Sequence, residues 1–231
     1  MTVTLCVWRV TPAAVPLALW GMAVDRGRLR RTAGVRFAKL LGTAKLPGSA
    51  DLTRWAALVV SDGPAPPIPT RNADSTCTIT MVPIASRGRW AGETPFKQEP
   101  QTPFKQEPQT PFKQEHGTDG NPVLALTRAR LTPHRAPAFW RASRTVADIL
   151  HHQPGLLAAF GIGEAPIGFQ GTVSIWRTGA DMVRFAYRQP EHTAVVADTP
   201  RKRWYAEELF ARFHVLDVAG DRELIGWKVR P

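Results

Sequence analysis

His192 is the side chain of this sequence whose surroundings allow the most chemistry. It follows a helix stop at Pro190 and precedes the apolar run 194–196, and the basic run 201–203 (RKR) lies shortly downstream. A neutral imidazole nitrogen can ligate a haem iron, and nearby cations can bind the haem propionates. A histidine near a helix end can equally be a cap or an exposed side chain, so both interpretations stay open.

The other five histidines occupy less promising positions. His116 ends a repeat, His151 and His152 end a predicted helix, His134 follows a proline at a helix start, and His214 lies in a predicted strand. A histidine at a helix C-terminus is favoured by the macrodipole whether or not it binds anything. These positions therefore carry no separate ligand prediction.

Familiar catalytic motifs are absent from the sequence. It contains no phosphate loop, nucleophile elbow, HExxH, EF-hand or dinucleotide-binding glycine pattern. Cys6 and Cys77 are too few for a disulfide framework or a cysteine metal site, and they fit a reducing compartment. The eight tryptophans fill core positions, as predicted for Trp55 and Trp176, or line a large flat ligand.

The charge balance favours anionic partners. Thirty Lys and Arg against nineteen Asp and Glu give a formal charge of +11. The basic residues form short clusters at 26–31 and 201–203, outside any recognised nucleic-acid-binding motif, so no nucleic acid is expected. No window reaches the ~18 apolar residues of a membrane span, and no signal peptide is evident. We expect a cytoplasmic protein, with peripheral contact to the inner membrane as a further option.

The elements that would position these residues fall into two similar halves. In the first half, the predicted strands are Val3–Val10, Leu52–Ser61 and Thr76–Ile84 and the predicted helix is Ala13–Val24; Arg30–Gly42 is interpreted as a basic loop and a short helix. In the second half, Val123–Leu131, Gln170–Arg177 and His214–Val218 are predicted strands, and Arg135–Leu150, a run from Ala180 and Trp204–Phe213 are predicted helices.

Between the halves lies a repeat of eight residues. TPFKQEPQ occurs at Thr94–Gln101 and again at Thr102–Gln109, and TPFKQEHG follows at Thr110–Gly117. One aromatic per copy is too little to build a core, so residues 94–121 are predicted to be a flexible linker outside the fold. A peptide ligand for a proline-recognising domain is the alternative.

The order of elements predicts an α+β fold made of tandem ferredoxin-like halves that form a pseudo-dimeric α/β barrel. The first half, 1–93, is predicted to be truncated, because DGPAPPIPTRNAD stands around 62–75 where the second half has helices. The second half, 122–231, carries the candidate ligand.

Six segments, taken in order, resemble the spheroidene monooxygenase family of carotenoid biosynthesis: RTAGVRFAKLLGTA, SRGRWAGETPF, LTRARLTP, GIGEAPIGFQGTVSIW, MVRFAYRQPEHTAVV and WYAEELFARFHVL. The resemblance implies a haem-dependent oxidoreductase that uses dioxygen and a reduced ferredoxin or similar donor protein. Its reaction would introduce a hydroxyl and then a keto oxygen near the end of an acyclic carotenoid.

The resemblance also implies roles for individual residues. The family's YR…H pattern falls on residues 187–192, so His192 would be the axial iron ligand, with Arg188 and Arg203 binding the cofactor. The substrate cavity would be lined by Lys39, Phe169 and Trp204. A shortened first half and the triple repeat leave a second hypothesis open, in which the chain is a non-catalytic α/β-barrel module that binds an apolar ligand.

Overall fold

Within the part of the chain that the structure describes, the protein consists of eight antiparallel strands, two helices and a helical turn at 147–150. The computed structural model describes residues 1–46, 48–96, 121–131, 147–164, 171–188 and 205–228, with only the backbone of Leu131, Tyr187, Arg188 and Tyr205. The strands are β1 Thr2–Val10, β2 Val35–Lys45, β3 Ser49–Ser61, β4 Ala73–Gly88, β5 Val123–Leu131, β6 Leu156–Gly163, β7 Gly171–Trp176 and β8 Tyr205–Gly220. The helices are α1 Val15–Arg30 and α2 Gly179–Arg188, with 3-10 turns at Pro12–Ala14 and Arg222–Ile225.

The strands close into a barrel in the order β1-β3-β2-β6-β7-β5-β8-β4. The first four strands have the spatial order β4-β1-β3-β2, and the last four have the matching order β8-β5-β7-β6. This is the arrangement of a ferredoxin-like β-α-β-β-α-β unit. The predicted α+β class and ferredoxin-like strand order are therefore confirmed. The halves join where β2 pairs with β6 and where β4 pairs with β8.

Three apolar clusters hold the barrel together. The largest fills the interior and includes Leu58, Met81 and Phe213, each at most 1% exposed. A second cluster packs α1 on the outer face of the first half, and a third packs α2 on the outer face of the second half. Trp55 and Trp176 belong to these outer clusters, so their predicted core positions are confirmed.

Local sequence explains both helices. Pro16 lies in the first turn of α1, where it removes no helical hydrogen bond, and arginines occupy its last turn, where the macrodipole favours cations. Thr178 caps the start of α2: the Asp181 amide donates to Thr178 Oγ1 at 3.1 Å, and Thr178 Oγ1 in turn donates to Asp181 Oδ2 at 2.9 Å.

Two predicted helices are wrong. The segment Arg30–Gly42, predicted to be a basic loop and a short helix, begins with the last residue of α1 and is strand β2 from Val35 onwards. Phe37 and Leu41 face the interior, and Ala38 and Leu40 belong to the outer cluster that α1 covers. The strand is therefore apolar on both sides and lacks the alternation that marks a half-exposed strand. The helix predicted at Trp204–Phe213 is wrong as well, because Tyr205 begins the single strand β8, which also contains the predicted strand His214–Val218.

The exclusion of residues 94–121 from the fold is wrong at its first residues. Phe96, in the first repeat copy, is 2% exposed and packs edge-on against Phe213 with the ring centroids 4.9 Å apart. Residues 97–120 lie outside the described residues, so the linker prediction for the later copies stays a prediction.

The connection at 62–72 contains no helix. Of the helix predicted at Arg135–Leu150, residues 147–150 are helical and 132–146 lie outside the described residues. The helices described here include none long and apolar enough to cross a membrane.

Candidate functional site

Lys39 is the predicted site residue whose side chain the structure describes. It lies in β2 between Phe37 and Leu41, which point into the barrel, and its side chain is 13% exposed. The ammonium group lies 5.5 Å from the ring centroid of Phe37 and 5.9 Å from that of Trp90. Its nearest charged partner is Glu164, whose Oε2 accepts a hydrogen bond from Nζ at 3.0 Å. The lysine is therefore held in place by one carboxylate and two aromatic rings.

Glu164 connects three donors from three parts of the chain. It directly follows β6, and its Oε1 accepts hydrogen bonds from Trp90 Nε1 at 2.6 Å and from Arg128 Nη2 at 2.8 Å. Its other carboxylate oxygen binds Lys39. Burial raises the pKa of Glu164, but the hydrogen bonds from Trp90 and Lys39 and the charges of Lys39 and Arg128 outweigh burial and hold the pKa below its usual range.

Arg128 joins Glu164 to a second carboxylate, that of Glu207 on β8. The guanidinium is 5% exposed, and its Nη1 donates to Glu207 Oε1. Glu207 also accepts from the backbone amides of Ala91 at 2.9 Å and Gly92 at 2.8 Å. Burial raises the pKa of Glu207, and these amides together with Arg128 more than compensate, so its pKa is also lowered. We call Lys39, Trp90, Arg128, Glu164 and Glu207 the barrel-end cluster.

The turn after β4 brings Trp90 and the two amides to the cluster. Gly88 ends β4 with a φ of +88°, and a Cβ at this position would lie 2.1 Å from the carbonyl oxygen of Glu208. Only glycine therefore fits where β4 and β8 part. Ala91 and Gly92 continue with positive φ values, which turn their N–H groups towards Glu207.

The charges of the barrel-end cluster cancel, since it contains two cations and two carboxylates. One buried donor is left over: Arg128 Nε has no hydrogen-bond partner among the described residues. A buried N–H without a partner costs about 1–3 kcal/mol, so it is a candidate contact for an oxygen atom of a bound ligand.

Among the described residues, the side chains at the centre of the barrel are tightly packed. Leu5, Leu58, Met81, Leu126 and Val173 are among the side chains that meet at its centre, and the gap between them does not admit a water molecule. A large ligand cannot lie at the centre of this barrel. The described residues also contain no group of three or more metal-binding side chains.

The remaining predicted site residues lie outside this description. They are Phe169, His192, Arg203 and Trp204, and of Arg188 only the backbone is described, at the last residue of α2. Two of them are close in sequence to members of the barrel-end cluster. Trp204 is three residues from Glu207, and Phe169 is five residues from Glu164.

The sequence interpretation missed Trp90, Arg128, Glu164 and Glu207. Arg128 had a readable signal, because Leu124, Leu126 and Arg128 recur at period two and place a charge on the buried face of β5. Glu207 falls within the helix predicted over Trp204–Phe213, which is really part of β8, so its inward direction could not be inferred. No local pattern distinguishes Glu164 or Trp90.

For a haem group, the described residues offer part of what is needed. Lys39 and Arg128 are cations of the kind that bind propionates, and Arg128 Nε is an unsatisfied donor. The imidazole proposed for the iron is on His192, which is not among the described residues. Both cations are already paired with Glu164 and Glu207, so within the cluster only Arg128 Nε is left as a donor for a haem carboxylate.

No protein-family model matches the chain. The chain is 30% identical over 222 residues to the spheroidene monooxygenase of Rhodobacter capsulatus, an alignment that covers 90% of this chain and 87% of that protein. It is 31% identical over 201 residues to the spheroidene monooxygenase of Rubrivivax gelatinosus, covering 81% of this chain and 71% of that protein.

Among solved structures, an aldoxime dehydratase in complex with butyraldoxime superposes with a TM-score of 0.54 at 11% identity. The match covers 94% of this chain and 79% of that chain. At this identity the likeness concerns the fold alone.

Proposed function

Because the chain belongs to the spheroidene monooxygenase family, we propose that it oxidises the end of an acyclic carotenoid, introducing first a hydroxyl and then a keto oxygen. The observation that carries this proposal is the 30% identity to a spheroidene monooxygenase over 87% of that protein's length. The proposed substrate is a spheroidene-type polyene.

The proposed reaction balances with dioxygen as co-substrate and an external donor. In each turnover, two electrons and two protons reduce O2, one oxygen atom enters a C–H bond of the carotenoid to form a C–OH group, and the other leaves as water. A second turnover on the same carbon gives a geminal diol, which loses water to form the ketone. A reduced ferredoxin or a similar protein would supply the electrons.

The cofactor that we propose is haem, with His192 as the iron ligand. Haem would supply the binding and activation of dioxygen. Arg188 and Arg203 would bind its carboxylates, and Lys39, Phe169 and Trp204 would line the side of the cavity that the polyene enters. The lowered pKa values of Glu164 and Glu207 support a fixed role for Lys39, because both carboxylates stay charged at neutral pH and hold the cations of the cluster.

The aromatic side chains beside Lys39 would lie behind the cavity wall and support it, because Phe37 is 5% exposed and Trp90 is 1% exposed. Phe37 and Trp90 pack edge to face with their ring centroids 5.6 Å apart, and Trp90 is fixed by its hydrogen bond to Glu164. A cavity wall that a buried polar network holds rigid positions a flexible hydrocarbon better than a mobile wall does. We also propose that the two halves are equivalent units of a pseudo-dimeric barrel, the first of which lacks a helix at 62–72.

The test is an absorption spectrum of the protein produced with haem supplied, followed by a carotenoid assay. We expect a Soret band in the wild-type protein and in His152→Ala, which removes an exposed histidine, and loss or a shift of the band in His192→Ala. Mass spectrometry should then show a gain of one oxygen atom in the carotenoid that depends on O2 and on a reductant. A carotenoid that binds but stays unoxidised would instead identify a non-catalytic binding module. Absence of the band from all three proteins would exclude the haem mechanism.

A further inference from the structure

Helix α1 exposes an apolar stripe to solvent. Leu17, Trp20 and Val24 are 43%, 56% and 48% exposed. With 3.6 residues per turn, positions i, i+3 and i+7 lie on one face of a helix, so these three side chains form a continuous row. The adjoining side of the helix, with Gly21, Asp25 and Leu29, is buried. Because α1 already packs one side against the fold, the stripe is a second apolar face that the described residues do not cover.

The same face becomes cationic towards the end of the helix. Arg28 and Arg31 continue the row that begins at Leu17, and both are exposed. Two nearby arginines are already engaged: Arg30 lies 3.9 Å from a Glu93 oxygen, and Arg26 donates to the carbonyl oxygen of Glu164. Within the described residues, no carboxylate lies within salt-bridge distance of the guanidinium of Arg28 or Arg31.

We propose that this face of α1, formed by Leu17, Trp20, Val24, Arg28 and Arg31, docks the protein on an anionic lipid surface. Helices that lie in a bilayer interface combine Trp and Leu, which enter the acyl boundary, with Arg, which pairs with headgroup phosphates. The formal charge of +11 adds a long-range attraction to such a surface.

Charge favours a bilayer over a second copy of this chain as the occupant. A symmetric contact between two α1 faces would bring four arginines together, and the nearby carboxylate of Asp25, on which the charge of Arg28 acts, is already bound by Arg71. A lipid surface supplies phosphates at every position along the helix. The buried side of α1 is also fixed, because Arg71 holds Asp25 through two hydrogen bonds. The stripe can therefore enter an interface without unfolding of the helix.

This inference goes beyond the proposed function and does not depend on it. It concerns neither the haem nor the oxidation step, and it would give the protein access to any hydrocarbon dissolved in a bilayer. The experiment below uses neither haem nor carotenoid, so its outcome leaves the proposed reaction untouched.

Flotation with vesicles tests the proposal on the full chain. The vesicles are made of phosphatidylcholine alone or of phosphatidylcholine with phosphatidylglycerol. Trp20→Glu is compared with Leu216→Glu, a matched control because Leu216 is also 56% exposed but lies on β8. The double variant Arg28→Gln and Arg31→Gln is compared with Arg36→Gln and Arg177→Gln, which removes the same number of charges from exposed positions elsewhere. Melting curves identify any variant that fails to fold, and Trp20→Ser then replaces Trp20→Glu.

We expect wild-type protein and both controls to float with the phosphatidylglycerol vesicles and to float less with phosphatidylcholine alone. Each arginine at an anionic surface contributes about fivefold to partitioning, so the double α1 variant should bind roughly 25-fold more weakly. Trp20→Glu should lose at least about tenfold. The proposal is overturned by absence of vesicle binding, by equal losses in the variants and their controls, or by a dimer in light scattering that Trp20→Glu dissociates, which would assign the face to a second copy.

Discussion

Arg71 binds the carboxylate of Asp25 through two hydrogen bonds, with Nε 3.0 Å from Oδ2 and Nη2 3.1 Å from Oδ1. Asp25 is 1% exposed on the buried side of α1, and Arg71 belongs to the helix-free connection between β3 and β4. The hydrogen bond and charge of Arg71 lower the pKa of Asp25 despite its burial. This pair fastens an irregular segment to α1, close to Ile68, which packs against the outer cluster.

Arg71→Ala should therefore destabilise the protein, because it leaves a buried carboxylate without its partner. About 1–3 kcal/mol of the free energy of unfolding should be lost, less than for a fully buried pair because Arg71 is 45% exposed. Urea unfolding measures the change. Arg36→Ala, which removes an exposed pair with Asp62, is the matched control and should cost less than about 1 kcal/mol. Equal losses in the two variants would show that Asp25 and Arg71 are not coupled.

Acid should weaken the barrel-end cluster. Glu164 and Glu207 have lowered pKa values in the folded protein, so their contribution to stability is fully present above the unfolded value of about 4.3 and is lost as the pH falls through their folded pKa values. Glu164→Gln should lower the melting temperature at neutral pH, because Lys39 and Arg128 lose a partner, and should make the melting temperature less dependent on pH below about 4.3. Melting curves from neutral to acidic pH test this.

Glu208→Gln is the control for that series. Glu208 is next to Glu207 on β8 and therefore points to the opposite side of the strand. It should change neither the neutral melting temperature nor the acid slope by more than a small fraction of the Glu164→Gln effect. A Glu164→Gln protein with the wild-type slope would show that the carboxylate carries no linked proton in this range.

The sequence predicted the strands whose two sides differ or whose ends carry turn signals, such as β4, where Cys77, Ile79 and Met81 alternate with threonines. It failed where tertiary packing decides. β2 is apolar on both sides because α1 covers one and the barrel interior the other, so period two is hidden. The segment Trp204–Phe213 was predicted to be a helix, but it is part of β8, and Glu207 within it forms a hydrogen bond with the buried Arg128. An inward carboxylate can be inferred only when its partner is known, and the partner lies on another strand.

Both thiols should resist modification in the folded protein. Burial raises the pKa of Cys6, and burial together with the Asp221 charge raises the pKa of Cys77 to about 11. Because the thiolate is the reactive form, a thiol reagent at neutral to mildly alkaline pH should label neither cysteine on a timescale of minutes. The same protein in urea should react at both positions, which provides the control. Rapid labelling without urea would show that the interior of β1 and β4 opens frequently.

The repeat provides two matched controls for Phe96, because Phe104 and Phe112 occupy the same place in two further copies of TPFKQE. Phe96→Ala should reduce the free energy of unfolding by about 3–5 kcal/mol, since it empties a buried site against Phe213. Phe104→Ala and Phe112→Ala change the same residue in the same local sequence and should leave urea unfolding within about 0.5 kcal/mol of wild type, as expected for a linker. A comparable loss in either control would place that copy in the core.

A small effect of Phe96→Ala would have a different meaning. Identical flanking sequence allows another copy to supply the phenylalanine, at the modest entropic cost of a longer loop. Phe96→Ala combined with Phe104→Ala and Phe112→Ala separates the two cases, because no copy can then fill the site. A triple variant that unfolds much more easily than Phe96→Ala alone would show exchange among the copies. A triple variant as stable as the wild type would contradict the contribution of Phe96 to the core.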